Sequence, residues 1–128
     1  MDRLQAEIEM LRSEHPNLQC GADVEWVLIP DFPIPPGWNR ERTRLLLFIP
    51  SGYPEIPPDN FYVETGLRTA SGEMPHAYQD SVSQIGENWG QFSWHVDVES
   101  WRPAPDPEAG HNLRTFVGMV RKRLSEVP

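Results

Sequence analysis

Apolar residues recur at helical spacing near the N-terminus. Leu4, Ile8 and Leu11 lie at i, i+4 and i+7. This spacing predicts an amphipathic helix from Met1 to Glu14, because positions three and four apart share one face of a helix. The helix should end at His15-Pro16, since proline lacks a backbone N–H and disfavours helical geometry in the residue before it.

A second apolar stripe with helical spacing lies near the C-terminus. Its members fall at i, i+3, i+4, i+7 and i+11: Leu113, Phe116, Val117, Val120 and Leu124. The stripe predicts a final helix that packs on a sheet. Pro107 suits the first turn of this helix and Asp106 is its candidate cap, because the first turn needs no proline N–H and offers free donors to a carboxylate.

Between the two helices the apolar pattern changes to that of strands. Ala22 to Ile29 alternates between two faces, as a half-buried strand does. Arg42 to Ile49 is polar at its start and continuously apolar from Leu45, which indicates burial on both faces, or on one face under a covering helix. Asp59 to Thr65 supplies a further strand. A helix followed by successive antiparallel strands predicts an α+β domain built on a meander.

The segment from Gly66 to Asn88 shows neither pattern. It contains several serines and glycines and few apolar residues, so we expect a long loop on the surface of the domain. Long loops without secondary structure are uncommon in small domains unless they have a function.

Composition narrows the possible functions. A chain of 128 residues fits one domain, residues 1–128, and its formal net charge of −8 disfavours a nucleic-acid binder, because phosphate neutralisation needs clustered Lys and Arg. The single cysteine, Cys20, excludes an intrachain disulfide and a cysteine-based zinc site. No phosphate loop or metal-ligand spacing is present, so we expect no cofactor and no metal. Without a long apolar run or a signal peptide, we expect a cytoplasmic protein with no membrane partner.

The link between the second and third predicted strands is rich in proline. It contains the stretch Tyr53-Pro54-Glu55-Ile56-Pro57-Pro58. Each proline removes a donor and restricts φ, so this stretch cannot pair as a ladder and should form a stiff arch. The Tyr-Pro-x-x-Pro-Pro pattern resembles the signature of ubiquitin-conjugating (E2) enzymes and of their non-catalytic relatives, the UEV and RWD domains.

The chain as a whole looks most similar to the prokaryotic E2-like proteins of family E, which are encoded in bacterial operons with ubiquitin-like proteins and E1-like adenylating enzymes. The resemblance is strongest over 48–63 and 89–124 and weak over 66–88. It implies the UBC (E2)-like α+β fold, with an N-terminal helix, an antiparallel four-stranded meander, the proline arch, a long active-site loop and a C-terminal helix. The implied partners are a ubiquitin-like protein with a glycine C-terminus and an E1-like enzyme that adenylates it.

The same resemblance points to an active-site segment. In E2 enzymes this segment has the form Gly-x-hydrophobic-Cys-hydrophobic, and a tryptophan followed by x-Pro-Ala lies eight residues after the cysteine. Gly90-Gln91-Phe92-Ser93-Trp94 has this form with serine in place of cysteine, and Trp101-Arg102-Pro103-Ala104 follows at the matching distance, since 101 − 93 = 8. Ser93 therefore looks like the positional equivalent of the E2 nucleophile. Cys20 is the less favoured nucleophile, because it follows the first helix, far from this segment.

A serine nucleophile needs an adjacent base, whereas a thiol is already partly ionised near neutral pH. Side chains at i, i+2 and i+4 of an extended segment share a face, which places Ser93, His95 and Asp97 on one side. We predict that these three residues are catalytic, with His95 as general base and Asp97 orienting the imidazole. Residues two apart on a strand are separated by roughly 6.6 Å, so direct contact needs side-chain lean or a turn. His76 is a second candidate base.

The segment also departs from the E2 pattern at the oxyanion. The His-Pro-Asn tripeptide of E2 enzymes, whose asparagine helps to stabilise the oxyanion, is absent, and Met74-Pro75-His76-Ala77 is the nearest stretch. Asn88 or backbone N–H groups around Ser93 are the candidate replacements, because an oxyanion needs only well-placed donors.

Two functions remain open from the sequence. The first is an E2-like carrier that accepts the activated C-terminus of a ubiquitin-like protein, as an oxyester on Ser93, and transfers it to a target. The second is a non-catalytic adaptor of UEV or RWD type that binds a ubiquitin-like protein or an E1-like enzyme without forming a bond. A Ser-His-Asp hydrolase is a distant third, since no nucleophile elbow is present.

Overall fold

A computed structural model describes residues 2–128 of the chain, and the predicted helix start at Met1 lies outside the described residues. Over this range the chain forms two α-helices and a six-stranded sheet. The helices are α1 (Arg3–Glu14) and α2 (Leu113–Leu124). The strands are β1 (Gln19–Cys20), β2 (Trp26–Pro33), β3 (Arg42–Phe48), β4 (Phe61–Glu64), β5 (Tyr78–Gln84) and β6 (Glu87–Phe92).

The sheet has the strand order β1-β2-β3-β4-β6-β5, and neighbouring strands are antiparallel. The strands predicted over 42–49 and 59–65 correspond to β3 and β4. The strand predicted over 22–29 overlaps β2 only from Trp26, because residues 22–25 form turns and β2 continues to Pro33. β5 and β6 form a hairpin in which β6 pairs with β4, so that β5 becomes the edge strand. The sheet therefore has six strands and not the predicted four.

Both helices contribute to one core on one face of the sheet. Ile8 and Leu11 of α1 lie in this core together with alternate strand residues such as Val27 and Val63. The apolar stripe predicted for the last helix is buried at all its positions: Leu113, Phe116, Val117, Val120 and Leu124. Burying a large aliphatic or aromatic side chain stabilises the fold by about 1.5–3 kcal/mol, which explains why this helix docks.

The other face of the sheet carries a smaller apolar cluster. Leu45 and Leu47 of β3 point into the main core, whereas Leu46 packs on the opposite face with Tyr62 and Trp89. Of the two alternatives predicted for this strand, burial on both faces is the one that the structure has. The long polar side chain of Arg44 covers part of this second face. Its guanidinium lies 4.4 Å from the Trp89 ring centroid.

The predicted long loop over 66–88 is wrong in its second half, because that half contains β5 and the start of β6. Half-buried and exposed residues alternate along β5, so this edge strand needs few apolar residues. Its turn, Ile85-Gly86, has φ values of 44° and 79°, as a type I′ hairpin turn requires. Such turns usually carry Asn-Gly, and the uncommon Ile-Gly pair hid the hairpin from sequence analysis.

The predicted start of the last helix is also wrong. Asp106 caps a short 3₁₀ helix at Pro107–Ala109, and α2 begins only at Leu113. The side chain of Asn112 accepts a hydrogen bond from the Thr115 N–H, and the Thr115 hydroxyl accepts one from the Asn112 N–H. This reciprocal capping satisfies donors that Asp106 lies too far away to reach.

Residues 49–60, which include the proline stretch, connect β3 to β4 through a series of turns. The Tyr53 hydroxyl donates to the buried carboxylate of Glu7 at 2.5 Å. The Trp101 indole N–H donates to the Pro54 carbonyl at 2.7 Å. These two bonds tie the connection to α1 and to the segment that follows β6.

Within residues 2–128, each α-helix has 12 residues, and neither is long and apolar enough to cross a membrane.

Candidate functional site

Ser93 follows the last residue of β6 and is exposed to solvent. Its backbone N–H donates to the carbonyl of Ala77 at 2.8 Å, so the backbone continues to run beside the residue before β5. Its hydroxyl lies 3.5 Å from the side-chain amide nitrogen of Gln91, two residues earlier on the same strand. Ser93 therefore projects an exposed hydroxyl, with the Gln91 amide as its neighbouring donor, from a backbone that is held in place.

Asn60 holds the other side of this segment. Its backbone N–H donates to the carbonyl of Trp94 at 2.8 Å, and its side-chain oxygen accepts from the Trp94 N–H at 3.1 Å. The φ of Asn60 is 61°, in the left-handed region that asparagine tolerates better than most residues. The Trp94 ring packs edge-on against Phe61, with centroids 5.8 Å apart, and anchors the segment to the core.

Exposure alternates along the segment that carries the predicted catalytic residues. Ser93, His95 and Asp97 are exposed, and Trp94 and Val96 between them are half-buried. This alternation places the three predicted residues on the outer side of an extended stretch. They are not joined to one another by hydrogen bonds among those found in residues 2–128.

His95 pairs with Asp59 and not with Asp97. The Nδ1 atom of His95 forms a hydrogen bond with a carboxylate oxygen of Asp59, and the side chains are 68% and 61% exposed. Asp59 directly follows the buried Pro57 and Pro58, so the proline stretch brings this carboxylate to the imidazole. Asp59 could not be predicted from the sequence as the partner of His95, because the two lie 36 residues apart and only the pairing of β4 with β6 brings them together.

Asp97 forms its hydrogen bonds with other groups than the predicted one, His95. Its carboxylate accepts from the Glu99 N–H at 3.0 Å and from the Ser100 hydroxyl at 3.2 Å, and thereby caps the short 3₁₀ helix at Val98–Ser100. The predicted contact by which Asp97 would orient His95 is therefore wrong. A carboxylate that precedes a helical turn satisfies the free N–H groups of that turn, which is a local and strong preference.

Two of the predicted oxyanion donors are not free, and a third is remote. The N–H groups of Ser93 and Trp94 are already bonded, to Ala77 and Asn60 respectively. Asn88 lies in β6 opposite Ser83, five residues from Ser93, which is roughly 17 Å along a strand. The donor beside the Ser93 hydroxyl is instead the side-chain amide of Gln91, a residue that sequence analysis gave no role.

His76, the second candidate base, lies closer to Ser93 than Cys20, the less favoured nucleophile, does. His76 is exposed and precedes Ala77, whose carbonyl binds the Ser93 N–H, so His76 stays near the segment. Cys20 lies in β1, four strand positions from β6, which corresponds to roughly 19 Å across the sheet. Cys20 is thus remote from Ser93.

No three His, Cys, Asp or Glu side chains in the described part of the chain converge so as to hold a metal ion.

Neither a curated protein nor a solved structure gives a significant match. The model of a family described as prokaryotic E2 family E matches residues 6–127, which is nearly the whole chain. The matched range includes both helices apart from the start of α1, all six strands and the segment around Ser93. The chain therefore belongs to prokaryotic E2 family E.

Proposed function

We propose that this protein is an E2-like carrier that accepts the activated C-terminus of a ubiquitin-like protein on Ser93. Membership in the family supports conjugating activity of the E2 type, with E1-like enzymes and ubiquitin-like proteins as the general class of partners. The finer proposal is that the carried species is an oxyester, because serine stands where E2 enzymes have cysteine. The protein then passes the acyl group to an amine of a target.

The observation that carries the proposal is the His95–Asp59 pair on the exposed stretch that also presents Ser93. Asp59 occupies Nδ1 of the imidazole, which leaves Nε2 to accept the serine proton. The carboxylate also stabilises the imidazolium that forms when the proton moves. In this mechanism Asp59 takes the orienting role that the sequence assigned to Asp97.

The first proposed step is acyl transfer to Ser93, in which one bond forms and one breaks. The Ser93 oxygen attacks the thioester carbonyl that the modifier forms with its E1-like enzyme, and a C–O bond forms. His95 takes the hydroxyl proton and gives it to the departing thiolate as the C–S bond breaks. The Gln91 side-chain amide donates to the carbonyl oxygen as it becomes negative, because this amide is the side-chain donor found beside the hydroxyl in the described residues.

The test is incubation with the E1-like enzyme, the ubiquitin-like protein and ATP, followed by gel analysis of the adduct. An oxyester on Ser93 resists thiol reductant and is cleaved by hydroxylamine. The adduct should be lost in Ser93→Ala and kept in Cys20→Ala. In Ser93→Cys it should reappear as a thioester that reductant cleaves. An adduct that survives Ser93→Ala would disprove the assignment of the nucleophile.

A specific observation favours the non-catalytic adaptor as the second candidate. The N–H groups of Ser93 and Trp94, which would be natural oxyanion donors, are both used inside the protein. An adaptor needs no such donors. It predicts that the ubiquitin-like protein or the E1-like enzyme binds Ser93→Ala as tightly as the wild type, and that no covalent product forms under any condition.

A further inference from the structure

An apolar cleft lies directly beside the His95–Asp59 pair. Its volume is about 310 Å³ and it runs between the proline stretch and the segment after β6. The residues that line it are Ile56, Pro57, Pro58, Asp59, His95, Val96 and Val98. We call this feature the proline cleft.

Two of the apolar residues that line the proline cleft are unusually exposed. Ile56 is 49% and Val98 is 55% exposed, although both are large aliphatic side chains. Neither helix and no strand covers them within the described residues, and they flank the polar pair of the proposed site. Exposed apolar surface around a few polar groups is typical of binding sites.

The two chain stretches that contribute the lining of the proline cleft are acidic. The two stretches that form it, residues 53–60 and 92–101, contain four carboxylates and neither Lys nor Arg. The carboxylates belong to Glu55, Asp59, Asp97 and Glu99, which are all exposed. Such a surface attracts a cationic group and repels an anionic one, most strongly at low ionic strength.

We propose that the proline cleft binds the acceptor of the acyl group, namely a lysine side chain next to an aliphatic residue of the target. This inference rests on the proposed function. The aliphatic residue would pack between Ile56 and Val98, and the carboxylates would attract the lysine ammonium. His95 lines the cleft, so an amine bound there lies beside the base that must handle its proton.

The second step transfers the acyl group from Ser93 to the lysine. The ammonium of the lysine first loses one proton to solvent, and the neutral amine attacks the ester carbonyl on Ser93. A C–N bond forms and the bond between that carbon and the Ser93 oxygen breaks. One amine proton passes to His95 and from there to the departing oxygen, which regenerates the Ser93 hydroxyl.

The experiment uses the preformed wild-type adduct and follows its decay in a single turnover with two peptides. The peptides are acetyl-Leu-Lys-amide and acetyl-Ser-Lys-amide at equal concentration. We expect the leucine peptide to react about tenfold faster, since burying part of an aliphatic side chain is worth about 1.4 kcal/mol. Ile56→Ser and Val98→Ser should each reduce this preference to about threefold or less, without changing the rate at which Ser93 is loaded.

Ile85→Ser is the matched control, because Ile85 is also an exposed aliphatic residue, 39% exposed, but lies in the turn between β5 and β6. It should keep the preference of the wild type. Equal rates for the two peptides with the wild-type adduct would overturn the inference. Slower loading of Ile56→Ser would also overturn it, because the cleft would then bind the modifier tail. Failure of Ser93 to load at all would disprove the proposed function, and this inference with it.

Discussion

The ring of Tyr78 occupies the space where a side chain at position 90 would lie. A Cβ atom built on Gly90 would be 2.1 Å from the Tyr78 hydroxyl oxygen and 2.6 Å from two ring carbons. Tyr78 crosses β6 at this point to accept from the Leu67 N–H at 3.2 Å and donate to Asp80 at 2.8 Å. The glycine of the E2-type pattern at Gly90 to Trp94 thus has a packing role, because it lets an edge-strand side chain reach across the sheet.

Gly90→Ala should destabilise the protein by about 2 kcal/mol or more in chemical unfolding, because a clash with a ring cannot be relieved by a small shift. Gly118→Ala is the matched control. Gly118 lies exposed in α2 with nothing within 4 Å of an added Cβ, so this change should stabilise by about 0.5–1 kcal/mol. In a Tyr78→Ala background the cost of Gly90→Ala should largely vanish, and an unchanged cost would contradict the clash.

Glu7 is a buried carboxylate that joins several elements, and removing its charge should be costly. It is 1% exposed and accepts from the Arg3 guanidinium at 2.8 Å, the Tyr53 hydroxyl at 2.5 Å and the Leu113 N–H at 2.6 Å. Glu7→Gln should lower the free energy of unfolding by about 2–4 kcal/mol, because Arg3 loses its carboxylate partner and the start of α2 loses the negative charge beside it.

Glu9→Gln is the control for that measurement. Glu9 is exposed in the same helix and pairs with Arg12 at 3.2 Å, a surface ion pair worth about 0.5 kcal/mol or less. Tyr53→Phe should fall between the two, at about 1.5–3 kcal/mol, since it removes one hydrogen bond to a charged group. Equal costs for Glu7→Gln and Glu9→Gln would show that burial of Glu7 contributes nothing.

Tyr53 and Tyr78 should remain largely protonated in the native state at pH 10, and Tyr62 should ionise at a higher pH than an exposed tyrosine does. Burial is the main cause that raises the pKa of Tyr53 and Tyr62, and burial with the bond to Asp80 raises the pKa of Tyr78 to about 12. Unfolded tyrosine has a pKa of about 10. Tyrosinate absorbance at 295 nm should thus be small for folded protein at pH 10 and should rise sharply on adding denaturant.

The same pKa shifts make stability fall in alkaline solution. A tyrosine whose pKa is raised in the native state stabilises the folded state fully below about pH 10. This stabilisation is lost as the pH rises towards 12. Unfolding free energies measured between pH 8 and pH 11 should therefore decrease with pH. Half-maximal tyrosinate absorbance in the folded protein at pH 10 would refute the burial of these hydroxyls.

Because of Asp80, the stability of the fold should decrease in acidic solution. Its bond with Arg68 is the largest cause that lowers the pKa of Asp80, and the Gly66 N–H and the Tyr78 hydroxyl also donate to it. A lowered native pKa stabilises the fold above the unfolded value of about 4, and this contribution is lost as the pH falls below it. The stability difference between wild type and Asp80→Asn should therefore shrink from pH 6 to pH 3. A constant difference would count against the ion pair.

Two matched aspartate variants separate the observed partner of His95 from the predicted one. Asp59→Asn should slow loading of Ser93 by about tenfold, because the imidazole loses the carboxylate that orients it. Asp97→Asn should leave the loading rate within about twofold, because asparagine caps a helical turn nearly as well as aspartate. The measurement is the initial rate of adduct formation, and the reverse ranking would restore Asp97 to the site.

The elements that bury a continuous apolar face could be predicted from the spacing of apolar residues along the sequence. The stripe from Leu113 to Leu124, the run from Leu45 to Leu47 and the strand at Phe61 were all found, because burial imposes a regular spacing on the residues themselves. The E2-type pattern at Gly90 to Trp94 likewise located the segment that ends β6. β5 escaped prediction because an edge strand with one exposed face needs little apolar surface.

The sequence by itself thus determined the two helices, the central strands, the proline stretch and the short segment that carries Ser93, whereas the strand before Ser93 was not predicted. Only the tertiary structure decided which side chains meet there. Asp59 reaches His95 across 36 residues, and Asp97 caps the turn next to it. Local spacing carries information about faces and caps, whereas contacts between distant residues depend on how β4 pairs with β6, and no periodicity along the chain encodes that pairing.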